Sequence, residues 1–324
     1  MKKFQIAMPQ TIEQVTSILP AEKGTYYLLA GGTDLLGEIK DEIIEPEAVV
    51  DLKTIPNLSY IKKENDGVRI GALTTVAELA EDPLIKQDYP GLREAAISVA
   101  TPQLRNVGTV GGNLCQRPRC WYYRDSQTEC LKKGGAKCFA YRGRNKYHAI
   151  FGGGLCYFVH PSDLAPALIS LDAEISIATP KKEKTIPLAD FFTLPKVNVR
   201  QENILNSNEV LKEIKIPPAK AGEKSTYYKF KERGAWDFAV VSAALKANVS
   251  RGVFKDIKIV SGGVAPIPWR LEKIEKTIKG KKVTEDLIKK AAREALKDAK
   301  PLKENEYKKE LLEVILSRAV LSLA

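Results

Sequence analysis

All five cysteines of the chain fall between Gly111 and Asp163, in GGNLCQRPRCWYYRDSQTECLKKGGAKCFAYRGRNKYHAIFGGGLCYFVHPSD, and both histidines, His148 and His160, lie there too. The thiols are spaced Cys115-x4-Cys120-x9-Cys130-x7-Cys138-x17-Cys156. An odd count in a chain read as cytoplasmic disfavours a disulfide framework. Zinc binds tetrahedral sets of thiolates and imidazoles, but no CxxC pair is present and the spacing matches no finger or ribbon. Structural thiols more often sit singly on apolar strands than in a loop rich in Gly and Arg. An iron–sulfur cluster needs four thiolates on a segment able to wrap it, with cations nearby to offset its charge; Arg117, Arg119, Lys132, Lys133 and Lys137 are in range. Residue types alone leave zinc, packed thiols and a cluster in competition. Each histidine reads first as a structural group, with His160 positioning the turn that contains Asp163.

Two glycine turns add a second kind of chemistry. LLAGGTDL (28–35) is an apolar strand running into Gly31 and Gly32, then Thr33 and Asp34. Successive N–H groups in such a turn form a concavity suited to phosphate oxygens. NVGTVGGN (106–113) repeats the character with Gly108, Gly111, Gly112 and Asn113. Neither turn is the GxGxxG that opens a helix, which argues against the usual nicotinamide dinucleotide domain. Two such turns in one chain suit two parts of a single ligand.

The elements that must hold these residues are mixed. TIEQVTSIL has helical spacing behind Thr11, YYLLAGG and AVVDL read as strands, and VRIGALTTVAELAED as a strand, a turn and a helix from Thr75. GLREAAISVA is a helix; DLAPALISLDAEISIATPKKEKTIPLADFF resumes as helix, strand and hairpin after a stretch of low periodicity. IPPAKAGEKST (216–226) breaks the chain in two. Beyond it FAVVSAALKANV and FKDIKIVSGGV read as strands, or as a strand after a helix, before amphipathic helices that include one capped by Thr284. The chain carries +11 formal charge, but its 51 basic residues alternate with 40 acidic ones, a solvated surface and not a nucleic-acid footprint. No apolar window is long enough for a membrane span, and MKKFQIAMPQ lacks the core of a signal peptide. A cytoplasmic protein is expected, with export beside a signal-bearing partner left open.

LLAGGTDL, RNVGTVGGN and HPSDLAPAL (160–168), in that order, resemble the flavin-binding subunit of the xanthine dehydrogenase family of molybdenum hydroxylases. EVLKEIKIP, YYKFKERGAWDFAVVSAAL and SGGVAPIPWR are similar to that family's C-terminal part, so the likeness spans nearly the whole chain. The resemblance implies an α+β chain: a two-subdomain FAD-binding fold of the vanillyl-alcohol-oxidase type over residues 1–217 (about 1–55 and 56–217), then a smaller α+β domain over 222–324. It implies FAD contacts from Leu29, Ala30, Gly31, Gly32, Thr33 and Asp34, and from Gly108, Thr109, Gly111, Gly112 and Asn113. Asp163 would bond to the flavin side, and Lys231 matches a family lysine near the isoalloxazine, with Lys229 two residues away. Members that resemble 4-hydroxybenzoyl-CoA reductase and periplasmic aldehyde oxidoreductase carry an insertion like residues 114–160, which holds a [4Fe–4S] cluster; on that match Cys120, Cys130, Cys138 and Cys156 are ligands and Cys115 is spare. The implied partners are a molybdopterin-containing large subunit and a [2Fe–2S] small subunit, with ferredoxin or another carrier outside the complex. Competing readings are a stand-alone flavin oxidoreductase and a basic zinc protein that binds nucleic acid.

Overall fold

Residues 2–20 and 25–324 are described by the computed structural model. Strands β1 (Gln5–Ala7), β2 (Tyr26–Leu29) and β3 (Ala48–Asp51) form a parallel sheet in the order β1-β3-β2. The helix Ile12–Ile18 is capped by the Thr11 hydroxyl, which accepts from the Gln14 N–H. β2 runs directly into Ala30–Asp34, followed by a helix at Leu35–Lys40. That helix lacks the usual start signal: its first turn has no side-chain cap, and Gly37 lies inside it.

The second sheet is antiparallel, in the order β4 (Ile61–Glu64), β5 (Gly67–Gly71), β8 (Val210–Ile216), β6 (Glu174–Ala178), β7 (Glu183–Pro187). The helices Val76–Glu81, Pro90–Ser98 and Leu164–Ser170 share its core. The first begins in a capping box, with Thr75 and Glu78 each satisfying the other's backbone N–H. Every residue of the third is buried, which fixes Asp163 at its N-terminal edge.

The third sheet, β9 (Glu223–Phe230), β10 (Val241–Ser250), β11 (Val253–Gly262) and β12 (Trp269–Arg270), is antiparallel in the order β12-β11-β10-β9. FAVVSAALKANV, open between helix and strand from its sequence, is a strand from Val241 onwards. Its side chains alternate as a pleat requires. Ala243, Leu245 and Ala247 pack under the helices Glu272–Ile278, Glu285–Leu296 and Lys308–Leu323, whereas Ala244, with Tyr227 beside it on β9, joins the core of the second sheet. The sheet is therefore covered on both faces, giving the mixed α+β architecture. Residues 107–163 contain short helices at Val110–Cys115 and Trp121–Arg124, and 3₁₀ turns at Leu131–Lys133 and Phe139–Tyr141.

This segment is tied to the C-terminal helices by buried polar groups. Asn305 donates from Nδ2 to the carbonyls of His148 (3.0 Å) and Ala149 (3.3 Å), and its Oδ1 accepts from the Leu302 N–H. The Lys308 ammonium, fully buried, donates to the carbonyls of Tyr147 and Gly263, both at 2.8 Å. Asn305→Ala strands these partners, so it is expected to lower unfolding free energy in urea by about 2 kcal/mol; an unchanged midpoint would contradict this tie.

Candidate functional site

The two glycine turns press together. A Cβ on Gly31 would lie 2.1 Å from the Val107 carbonyl oxygen, so only glycine permits this approach, and Gly32 has φ +72°. Beside them opens a cavity of about 690 Å³, within the usual range of about 300–1,000 Å³ for small-molecule sites. Ala30, Gly31, Gly32, Thr33, Asp34, Gly108, Thr109, Gly112, Asn113 and Asp163 line it, so the structure brings these sequence-selected positions together. Leu29, Gly111 and Lys231 are not among the lining residues. Gly111 instead donates its N–H to Ala72 O at 2.9 Å, and a Cβ there would meet Ala72 Cβ at 2.8 Å; its glycine serves packing.

Asp163 is 4% exposed, and its carboxylate accepts from Tyr227 Oη at 2.6 Å and from Lys229 Nζ at 2.7 Å. Tyr227 and Lys229 are two apart on β9 and share one face of the pleat. Lys231 lies beyond the strand's end at Phe230. The lysine that the structure brings to Asp163 is thus Lys229; neither it nor Lys231 is among the residues that line the cavity. Asp34 is also fully engaged: it accepts from the Arg117 N–H (2.7 Å), from Arg124 Nη2 (2.7 Å), and pairs with Arg119 Nη1 at 2.9 Å. These contacts fasten the first glycine turn to the cysteine-rich segment.

Several lining residues were not read from the sequence as part of this site. Arg117 and Arg119 line this cavity and are absent from the lining of the cavity where Cys120, Cys130, Cys138 and Cys156 meet; Arg119 also lies 4.9 Å from the Phe238 ring centroid. Trp236 and Ala100 line it as well, with φ +51° and +44°, and the Trp236 N–H donates to Ala100 O at 3.4 Å. Two non-glycine residues with positive φ in contact mark a constrained rim. The available clue was an aromatic pair in the polar loop KERGAWDF, where Trp236 is 63% exposed.

A second, small cavity of about 10 Å³, about one water-sized sphere, is lined by Cys120, Cys130, Cys138 and Cys156. Tyr122, Tyr123, Phe139 and Phe158 make its walls. Cys115 is elsewhere: it lines the large cavity, where burial pushes its thiol up to about 12. Cys138 is held below the usual thiol range, chiefly by a hydrogen bond from Cys156. His148 Nε2 is 3.2 Å from Cys120 Sγ. Of the proposed counter-charges, Lys132 alone lines this cavity. It is buried, ion-paired with Glu202, and 4.2 Å from the Phe158 ring centroid. Lys133 instead donates to Asp125 O, and Lys137 lies over Phe139. No three His, Cys, Asp or Glu side chains among the described residues are grouped as ligands of a single metal ion.

Residues 2–219 match the FAD binding domain in molybdopterin dehydrogenase, and residues 226–323 match the CO dehydrogenase flavoprotein C-terminal domain. The chain belongs to the FAD-binding medium-subunit family of the molybdopterin dehydrogenases. It is 37% identical over 248 residues to the aldehyde oxidoreductase FAD-binding subunit PaoB of Escherichia coli, covering 75% of this chain and 76% of the relative. The carbon monoxide dehydrogenase medium chain of Hydrogenophaga pseudoflava is 27% identical over 300 residues, 92% of this chain and 88% of that one. The solved structure of carbon monoxide dehydrogenase from the same organism, lacking the Mo-pyranopterin moiety, superposes with a TM-score of 0.78 at 26% identity, covering 99% of this chain and 97% of that one. This FAD-binding subunit is an oxidoreductase component. No helix among its described residues is long and apolar enough to cross a membrane.

The cavity suits FAD on its own chemistry: a backbone cradle where a side chain at Gly31 has no room, two arginines, and aromatic residues at the rim. In this FAD-binding subunit Gly31→Ala forces the turns apart and is expected to weaken FAD at least about tenfold, roughly 1.4 kcal/mol. Gly37→Ala, where a Cβ meets nothing within 4 Å, leaves it unchanged; fluorescence titration of stripped protein separates the two.

His160, 3% exposed, accepts from the Ser162 N–H at 3.4 Å and meets Phe192 edge-on at 4.7 Å. Burial lowers its pKa from 6.5 to about 3. The neutral ring is the folded form, so its stabilisation is fully present above about pH 6.5 and is lost as pH falls towards 3. His160→Gln should flatten the fall in Tm between about pH 7 and pH 4; parallel curves for variant and parent would refute this.

Proposed function

We propose that this chain is the electron-transfer subunit of a multi-subunit molybdenum hydroxylase or reductase, holding FAD and a [4Fe–4S] cluster between partner subunits and an external carrier. The partners on this reading are a molybdopterin-containing large subunit and a [2Fe–2S] small subunit, in keeping with relatives named as medium chains and with a solved relative named for its molybdenum cofactor. The external carrier is ferredoxin or another electron carrier, the setting is cytoplasmic, and nucleic acid is not a partner. The domain division follows the change of sheet between β8 and β9, with 1–217 binding FAD and 222–324 forming the C-terminal α+β domain.

The observation that carries the reading is the separation of the thiols into two sets. Four line one aromatic-walled cavity with a buried ammonium, while Cys115 lines the FAD cavity. A cubane takes one thiolate per iron, so four thiols lining one cavity match its ligand count. Cys120, Cys130, Cys138 and Cys156 would hold the cluster, and Lys132 would offset part of its negative charge. Ala30–Asp34 and Gly108–Asn113 would hold the FAD pyrophosphate. Bound FAD supplies both one- and two-electron chemistry, and the protein supplies orientation and electrostatics. Lys229 and Tyr227 hold the Asp163 carboxylate in place at the cavity wall.

The decisive measurement is an anaerobic absorption spectrum with flavin and iron counted per chain. One flavin and about four irons, with a broad shoulder bleached by dithionite, are expected. Serine at any of the four thiols should abolish the shoulder, whereas Cys115→Ser should keep it. Flavin without iron in protein never exposed to air removes the cluster; zinc in its place does the same.

A further inference from the structure

The cysteine-rich segment forms one wall of the FAD cavity. Arg117, Arg119 and Tyr123 line that cavity, and Tyr123 also lines the thiol cavity. Two buried links run between them. Tyr123 donates through its hydroxyl to Glu38 Oε1 at 2.6 Å, and Glu38 is itself part of the FAD cavity wall. Glu202, 3% exposed and contributed from outside the segment, bridges Arg117 on the FAD side (3.2 Å) and Lys132 on the thiol side.

The segment has little backbone structure of its own to keep this wall in place. Between Cys120 and Cys156 it contains one four-residue helix and two three-residue 3₁₀ turns. Such a stretch is ordered by side-chain contacts and by whatever joins its thiols, because metal binding to a small site contributes directly to folding free energy. A cluster joining four cysteines would close the segment and hold Tyr123, Arg117 and Arg119 where FAD needs them.

We propose that loading of the thiol cavity and binding of FAD are thermodynamically linked, each tightening the other, with Glu202 and Tyr123 as the residues that transmit the coupling. The inference rests on the cluster reading above. Both residues are positioning residues: neither is one of the cluster's thiol ligands, and Glu202 does not line the FAD cavity. Because linkage is reciprocal, one factor describes both directions.

The test uses the full chain, purified anaerobically, with iron counted before FAD is stripped and titrated back by fluorescence. Iron-loaded protein is expected to bind FAD about tenfold or more tightly than iron-free protein, inside the usual range for coupled sites. FAD should likewise slow extraction of iron by a chelator. Glu202→Gln and Tyr123→Phe should each cut the loaded-to-unloaded ratio at least about threefold, a drop well within the usual coupling range. Tyr123→Phe keeps the ring and decides the matter alone where loss of the Glu202 charge prevents folding. A ratio near one in the parent, or a parent-sized ratio in the foldable variants, overturns the proposal. Absence of iron after anaerobic purification removes the cluster reading and this inference with it, an outcome distinct from iron that loads without affecting FAD.

Discussion

The carboxylate of Asp34 sits where the first glycine turn, the helix after it and the cysteine-rich segment meet, and its negative charge is shared by a backbone N–H and two guanidinium groups. Without those donors a half-buried carboxylate beside a ligand cradle would incur a desolvation cost and repel an anionic ligand. With them it becomes the point at which a loop with little regular structure is fastened to a rigid α/β unit. The close approach of Gly31 to Val107 supplies the complementary steric constraint, so the cradle is fixed on one side by packing and on the other by charge.

Buried charges elsewhere in the site follow the same logic of pairing. Glu202 serves Arg117 and Lys132 together, Glu38 takes the Tyr123 hydroxyl, and Asp163 takes a tyrosine and a lysine from one strand. Such pairs add little net stability compared with apolar packing, because desolvation offsets most of the Coulomb gain. Their value is geometric. Each fixes a side chain from one element against another, and Tyr123 belongs to the walls of both the large cavity and the thiol cavity.

The pleat of β9 shows how a small register fact decides a site residue. Tyr227 and Lys229 point to one face, and that face meets the N-terminal edge of the helix Leu164–Ser170, where Asp163 sits. Lys231 has the same parity but stands after the strand's last residue, where the alternation no longer holds. Motif alignment cannot separate lysines two apart, whereas strand geometry decides which of them meets Asp163.

Much of the fold was legible from local rules. Thr11, Thr75 and Thr284 cap helices where their sequences place them, and the strands around YYLL and AVVD follow from short apolar runs beside turn residues. The order of glycine turns, HPSD and the C-terminal motifs carried the family and hence FAD, because backbone-cradle residues are close in sequence and constrained by conformation. The helix at Leu35–Lys40, the partners of Asp34 and Asp163 and the placing of the arginines at the cavity wall required the tertiary structure. Those features depend on contacts between residues tens of positions apart, Glu202 with Lys132 or Tyr227 with Asp163, and no local period or spacing encodes which long side chain will reach which carboxylate.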